Sequence, residues 1–408
     1  MNNFLNQGLI QIKKDRYLAL LIVIAPLLNF LSGITFDLHA PSLPAIAMYF
    51  SAPMSAAKNT ITISLLGFAI GCIVWGTLLD IFGRRRIILL GLLLYAFASF
   101  SALACKDINQ LLLVRLIQGL SVSSLSVGCR AVIIDNFTSY QFKIALLYTS
   151  VAFGLGPIIA PFIGGILQYH FGWKANFIVY GLVSLVLMSI FALYVNESLQ
   201  KHENFSFKKL FDNYKHTLGH LSFIAGILIA GFSQVQLLVY TTVGSFLIEN
   251  VLHCSAIIYG NSALVISCGY LLGTLTNRYF IKRLHLHHLS IIGFLLLIIA
   301  ILIQIVFTFL HELNLLTIIF PITLIGFSNG FIFPNILSAS LRLFPTRAGI
   351  ATALFTCGIM VIGTIGTAIV SYINVGSLIH LTAIFAITSI VQFLIFFKYF
   401  INTIKEIP

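Results

Sequence analysis

Acidic side chains are scarce in this chain: Asp and Glu supply 11 of 408 residues, and charged residues of both signs only 8%. A soluble domain carries roughly 25% charged residues, so a chain wetted on every side is excluded. The six cysteines, at 72, 105, 129, 254, 268 and 357, include no C-x-x-C pair and read as small apolar residues. Cys105 and Cys254 fall near one membrane face but in opposite halves, and a disulfide would need their Cα atoms within about 7 Å. Catalytic signatures are missing as well. Without an H-E-x-x-H, G-x-S-x-G or phosphate loop, a membrane-embedded enzyme has no constellation to work with. Neither a cofactor nor a metal is expected.

What the chain has in quantity is apolar length. Hydrophobic residues make up 59%, and the mean hydropathy is +1.04. Twelve runs approach the roughly 20 residues that a helix needs to cross a bilayer: about 17–40, 57–79, 86–104, 110–134, 143–168, 174–195, 221–248, 256–276, 289–310, 314–340, 348–372 and 376–399. Barrel strands would instead be about 10 residues of alternating polarity. The fold expected is therefore all-α, a polytopic membrane protein with 12 transmembrane helices. The polar stretch 196–220 separates six spans from six, giving an N-terminal half 1–195, a central loop and a C-terminal half 221–408. Residues 1–16 do not read as a cleaved signal, since the apolar run behind Lys13, Lys14 and Arg16 exceeds the roughly 7 to 15 residues of a signal core.

With the N-terminus inside, Lys58, Lys106 and Lys174 fall outside, Arg115 and Arg130 lie within spans, and every other Lys and Arg is cytoplasmic. That is the positive-inside asymmetry. It places both termini and the central loop in the cytoplasm, and it accounts for the net charge of +12 without the nucleic-acid partner that a basic chain otherwise suggests. His285, His287 and His288 form a short cytoplasmic cluster, read as a solvated loop rather than a metal site.

The two halves repeat. "GTLLDIFGRRR" at Gly76 to Arg86 lies between spans 2 and 3, and "GTLTNRYFIKR" at Gly273 to Arg283 between spans 8 and 9. Both open Gly-Thr-Leu, place Asp80 or Asn277 at the same point and close on bases. Parallel six-span repeats about an axis along the membrane normal are a transporter signature.

The first loop resembles the loop 2–3 motif of the major facilitator superfamily, and "RLIQG" at Arg115 to Gly119 resembles its span 4 motif. "GPIIAPFIGG", Gly156 to Gly165, is similar to the span 5 signature of proton-driven drug exporters. "DLHAPSLPAIA" in span 1, "RAVIID" closing span 4 and "FGW" at Phe171 to Trp173 are similar to the Bcr/CflA branch, exporters of the bicyclomycin and chloramphenicol type. The resemblance covers nearly the whole chain. It implies two pseudo-symmetric six-helix halves rocking about a midplane site, and a conformational latch of Gly76, Asp80, Gly83, Arg84 and Asp135. In that latch Asp80 faces the start of span 11 and Arg84 reaches Asp135. It also implies a seal of span 5 against span 8 through Gly156, Pro157, Pro161, Gly164 and Gly165.

Residue chemistry agrees with those assignments. Gly76 removes a side chain where helices pack closely, and Pro157 and Pro161 each delete a helical hydrogen bond. Among the acids, only Asp37 falls inside the candidate cavity region; the alternative is that it caps the outer end of span 1 and faces water. A buried carboxyl resists ionisation, which suits a proton carrier. Arg115, whose implied position faces span 1, would answer to its charge. The offset that carries Gly76 to Gly273 carries Asp37 to Gln234, so the second half is expected to hold no proton carrier. Some multidrug relatives have a second carboxylate about two turns before this one, where this chain has Asn29. Phe36, Phe153, Gln234, Gln236, Tyr240 and Asn329, with Asn29, are candidate cavity residues.

The expectation is a monomeric inner-membrane antiporter that exchanges protons for small amphiphilic compounds within the lipid bilayer. Export of a native metabolite or siderophore, or proton symport, is the alternative within transport.

Overall fold

The computed structural model describes residues 2–199, 214–281, 283–310, 313–344, 348–373 and 378–405. Most of the central loop, with Glu203 and Asp212, therefore lies outside the described residues, as do Glu312 and Glu406. Twelve helices are long and apolar enough to cross a membrane, and no strand occurs among the described residues. We number the spans α1 (Asn2–Ile34), α2 (Met54–Phe82), α3 (Arg84–Ser101), α4 (Ile108–Asn136), α5 (Ser139–Phe171) and α6 (Lys174–Tyr194). The second half holds α7 (Leu221–Phe246), α8 (Ala256–Phe280), α9 (Leu286–Phe309), α10 (Leu315–Arg342), α11 (Ala348–Tyr372) and α12 (Leu378–Ile395). With an even number of spans, the chain ends of both halves meet on one face. That face, carrying most of the Lys and Arg, is called the basic face below.

The span expected over 17–40 ends early, at Ile34. Proline lacks an N–H and restricts the residue before it; Pro41 and Pro44 turn the chain through residues 35–39 into a short helix, Leu43–Tyr49. Asp37 thus sits in a turn beyond the helix, not within it.

Helices α4, α7 and α10 are the most enclosed. Small residues let them approach their neighbours: at Gly119 of α4 a Cβ would strike the backbone carbonyl of Ser64 on α2, and at Gly273 of α8 that of Phe327 on α10. The outward faces are apolar, with Ile73, Phe97, Leu193, Phe309 and Ile369 all exposed. Such a surface suits lipid contact.

Candidate functional site

The last carbonyls of a helix lack intrahelical donors, and at the end of α1 two buried side chains supply them. Thr35 O accepts from Arg115 Nη2 of α4 at 3.0 Å and from Tyr180 Oη of α6 at 2.9 Å. Arg115 is fully buried. Its Nε donates to Thr60 O at 3.2 Å and its Nη1 to Gln118 Oε1 at 2.8 Å. The guanidinium therefore rests on the negative end of the α1 dipole, with each of these bonds going to a neutral acceptor.

Asp37 lies two residues beyond Thr35 and is 5% exposed. Its Oδ1 accepts a hydrogen bond from Thr241 Oγ1 at 3.0 Å, across the boundary to α7 of the other half. A carboxylate capping α1 and facing water does not match this placement. His39, which the sequence reading passed over, is also fully buried. Thr60 Oγ1 donates to Ala57 O at 2.6 Å, so its contact with His39 Nε2 at 3.2 Å is one in which the ring donates. Nδ1 has no partner. Tyr95, whose Oη meets Thr35 Oγ1 at 2.9 Å, completes a polar cluster drawn from α1, α2, α3, α4, α6 and α7.

The seam between α5 and α8 follows from proline chemistry. Pro161 has no N–H for the carbonyl of Pro157, and Ser267 Oγ of α8 donates to that carbonyl instead, at 3.3 Å. Pro157 likewise frees the carbonyl of Phe153, which lies against Gly33 of α1. A Cβ at Gly165 would come within 2.5 Å of Ala256 O, and Gly156 and Gly164 lie equally close to Gly33 and Leu38 of α1 and its following turn. Lys58 Nζ adds a bond from α2 to Ile373 O at 3.2 Å. Of the links that join the two halves, Gly165 with Ala256 and Lys58 with Ile373 lie at the helix ends remote from the basic face, and the Ser267 bond lies near the middle of α5 and α8.

On the basic face Arg84 pairs with Asp80 at 2.5 Å and with Asp135 at 3.1 Å. Gly83 takes a φ of +93°, which lets α3 start directly after α2, and a Cβ there would collide with the Glu197 carboxylate. Glu197 accepts from the backbone N–H groups of Arg84 and Arg85 at 2.8 and 3.0 Å. It is a partner that the motif did not announce. These contacts join the first half to itself and to the start of the central loop, and none of them reaches the second half. Gly76 meets only a Val127 methyl at 4.0 Å, and the Asp80 side chain is 52% exposed.

Several candidate cavity residues are committed to packing. Asn329 Nδ2 donates to Gln236 Oε1 at 2.8 Å, and Gln236 Nε2 to Ser389 Oγ at 2.9 Å, which ties α10, α7 and α12 together. Tyr240 hydrogen-bonds Ser262 and stacks on Tyr259 at 5.5 Å, and Phe36 packs edge-on against Phe68. Asn29 Nδ2 donates to Thr149 O at 2.9 Å. Polarity marked these side chains, but amides and hydroxyls inside a bundle serve first as interhelical glue. The amide oxygens of Asn29 and Asn329 do remain buried without partners, and Phe153 and Gln234 are partly exposed. Glu249, expected at a span end, lies on a continuation of α7 with Oε1 buried and unpartnered. No group of three or more His, Cys, Asp or Glu that could hold a metal occurs among the described residues.

The family model of the Major Facilitator Superfamily matches residues 27–367. The chain belongs to that superfamily. Its members are transporters rather than enzymes. Similar proteins include the uncharacterized MFS-type transporter YdgK of Bacillus subtilis, 27% identical over 91% of this chain and 93% of that one. The chloramphenicol resistance protein CraA of Acinetobacter baumannii is 25% identical over 75% and 74%, and a bicyclomycin resistance protein homolog of Haemophilus influenzae 27% over 54% and 56%. Among solved structures, a D-xylose–proton symporter superposes with a TM-score of 0.76 at 16% identity, over 95% of this chain and 99% of that one. At that identity the likeness concerns the fold.

Proposed function

We propose that this transporter is a proton-coupled antiporter that exports small amphiphilic compounds from the cytoplasm. The observation that carries the reading is the Asp37–Thr241 hydrogen bond, a buried carboxylate held across the junction of the two halves. Any motion that separates the halves on that face breaks the bond and hydrates the carboxylate, so its proton affinity changes with the conformation. That is what coupling needs. Arg115, anchored two residues away on Thr35, holds a positive potential near the same spot and favours proton release. The names of the relatives, resistance proteins for chloramphenicol and bicyclomycin, support drug efflux as the physiological direction.

The basic face is cytoplasmic by the positive-inside rule, with both termini there and the protein a monomer in the inner membrane. The halves are 1–195 and 221–408, joined by the loop 196–220. The contacts of Gly165 with Ala256 and of Lys58 with Ile373 join the halves at the helix ends remote from the basic face, and with no such contact described at Gly76 or Asp80 they support the inward-facing state. In the outward-facing state Asp80 would meet the N-terminus of α11 and the Gly76, Gly83, Arg84 and Asp135 latch would close.

Proteoliposomes with only a pH gradient imposed test the assignment. Asp37→Asn, a mimic of the protonated carboxyl, should abolish uphill substrate movement while counterflow exchange survives. Undiminished uphill transport by Asp37→Asn removes Asp37 from the coupling step, and proton flow in the same direction as substrate establishes symport instead.

A further inference from the structure

The pseudo-symmetry of the halves pairs two hollows on the basic face. One, about 440 Å³ and lined by Gly83, Arg85, Arg86 and Glu197, lies where α3 begins. The other, about 330 Å³, lies where α9 begins and is lined by Arg283, His285, Ser338 and Arg342 over the apolar side chains of Ile281, Leu284 and Leu286. The offset that takes Gly76 to Gly273 takes Arg86 to Arg283.

In the first hollow the chain supplies its own anion. The Glu197 carboxylate accepts from the free N–H groups of the first turn of α3, and Asp80 and Asp135 take up Arg84. Arg85 is consumed by the carbonyls of Val195 and Ala192, at 2.8 and 2.7 Å.

The second hollow has the bases without the acids. Asn277 stands where the first half has Asp80, and it forms a reciprocal amide pair with Asn335, at 2.9 and 3.2 Å. The first turn of α9 holds no acid, and its N-cap, His285, makes no capping bond from its side chain. Among the described residues beyond 220 the basic face carries Arg278, Arg283, Arg342, Lys398 and Lys405 and no acid; Lys282, Arg347 and Glu406 lie outside the described residues.

We propose that the hollow formed by Arg283, His285, Ser338, Arg342 and the start of α9 binds a phosphate monoanion or diester. Two guanidinium groups supply fork-shaped donors that suit phosphate oxygens, the Ser338 hydroxyl a third donor, and the first-turn N–H groups of α9 a ready anion contact. The apolar side chains of Ile281, Leu284 and Leu286 that share the lining, Ile281 and Leu284 of them exposed, favour the headgroup of an acidic phospholipid over a free ion. Basic pockets between spans on the cytoplasmic side are suited to such headgroups.

Binding to the purified full-length protein in detergent, read by native mass spectrometry and by isothermal titration, tests this without any transport assay. The probes are short-chain phosphatidylglycerol, short-chain phosphatidylcholine and inorganic phosphate. Phosphatidylglycerol should bind one saturable site, and phosphatidylcholine should bind at least tenfold more weakly. Replacing both arginines, Arg283→Gln with Arg342→Gln, should weaken phosphatidylglycerol about thirtyfold, at about fivefold per surface charge. Arg278→Gln, outside the hollow, serves as the control and should change little. Inorganic phosphate that competes at similar concentration supports the anion site with a soluble ligand in place of lipid. Equal binding by the double variant, with an unchanged melting temperature as proof of folding, overturns the proposal. So does a site that binds only after Glu406→Gln, because the chain would then supply its own anion there too.

Discussion

The proposed coupling through Asp37 can be probed most finely at Thr241, because it touches Asp37 through one hydroxyl. A donor to a carboxylate favours the charged form. Thr241→Val keeps the shape and removes the donor, so the pH at which proton-driven transport is half-maximal should move upward by a fraction of a unit to one unit, about 1 kcal/mol per lost hydrogen bond. Thr241→Ser should restore the original profile, and a pH profile identical in all three proteins would leave the hydroxyl without a part in coupling. The burial of Asp37 and Arg115 was legible in the sequence, because charge beside or inside an apolar run is costly and conspicuous. Thr241 was not, since a threonine in a membrane helix costs little and its partner lies 204 residues away.

Among the elements, α3 and the α5–α8 seam make separate predictions. Glu197 caps α3; burial pushes its carboxyl up, but the backbone donors of Leu199, Arg84, Arg85 and Ser198 outweigh that and hold it below the ordinary glutamate range. A depressed value in the folded protein means stabilisation that is present above the unfolded pKa, about 4.3, and lost as pH falls through the lower folded value. Glu197→Gln should therefore lower the melting temperature at pH 7, by the equivalent of about 1 kcal/mol for a lost cap, and the two proteins should converge in strong acid. Equal melting curves at pH 7 would show the contact to be without effect. In the seam, a Cβ at Gly260 would sit 2.7 Å from Pro161 O, a backbone atom that cannot step aside. Gly260→Val should hold α5 and α8 apart, abolish transport and expose a cysteine placed at residue 38 to labelling from the outer side. Protection of that cysteine would mean the seam tolerates the extra bulk. Prolines and glycines in span 5 announced a close interface; that Ser267 repairs the carbonyl freed by Pro161 could be seen only with α8 in place.

For the molecule as a whole the question is which state each loop favours. A Cβ at Gly76 would meet a Val127 methyl at 4.0 Å, an ordinary contact, so Gly76→Val should leave the folded protein about as stable as before, while on the proposed latch it prevents the approach of α11 in the opposite state. Transport should fall at least tenfold, with cysteines on the basic side more accessible and those near Asp37 less so. Transport at the original rate would mean that Gly76 is not at the closing interface. On the proposed latch, Asp80→Asn should likewise raise accessibility on the basic side, because it removes the pairing to Arg84 and the carboxylate that the latch would set at the N-terminus of α11.

Composition and hydropathy determined the membrane environment, the twelve helices and the side on which the bases gather, since each depends on summed apolar length and charge along the chain, and the paired loop motifs at Gly76 and Gly273 marked the two repeating halves. Tertiary structure decided what those sums do not contain. It ended α1 at Ile34 and carried Asp37 into a turn against Thr241, set the buried His39 against Thr60, and consumed Gln236, Tyr240 and Asn329 in packing rather than leaving them to face a cavity. The physical reason is one of range: insertion into a bilayer is paid residue by residue, whereas a buried hydrogen bond depends on two groups that only the folded bundle brings to about 3 Å.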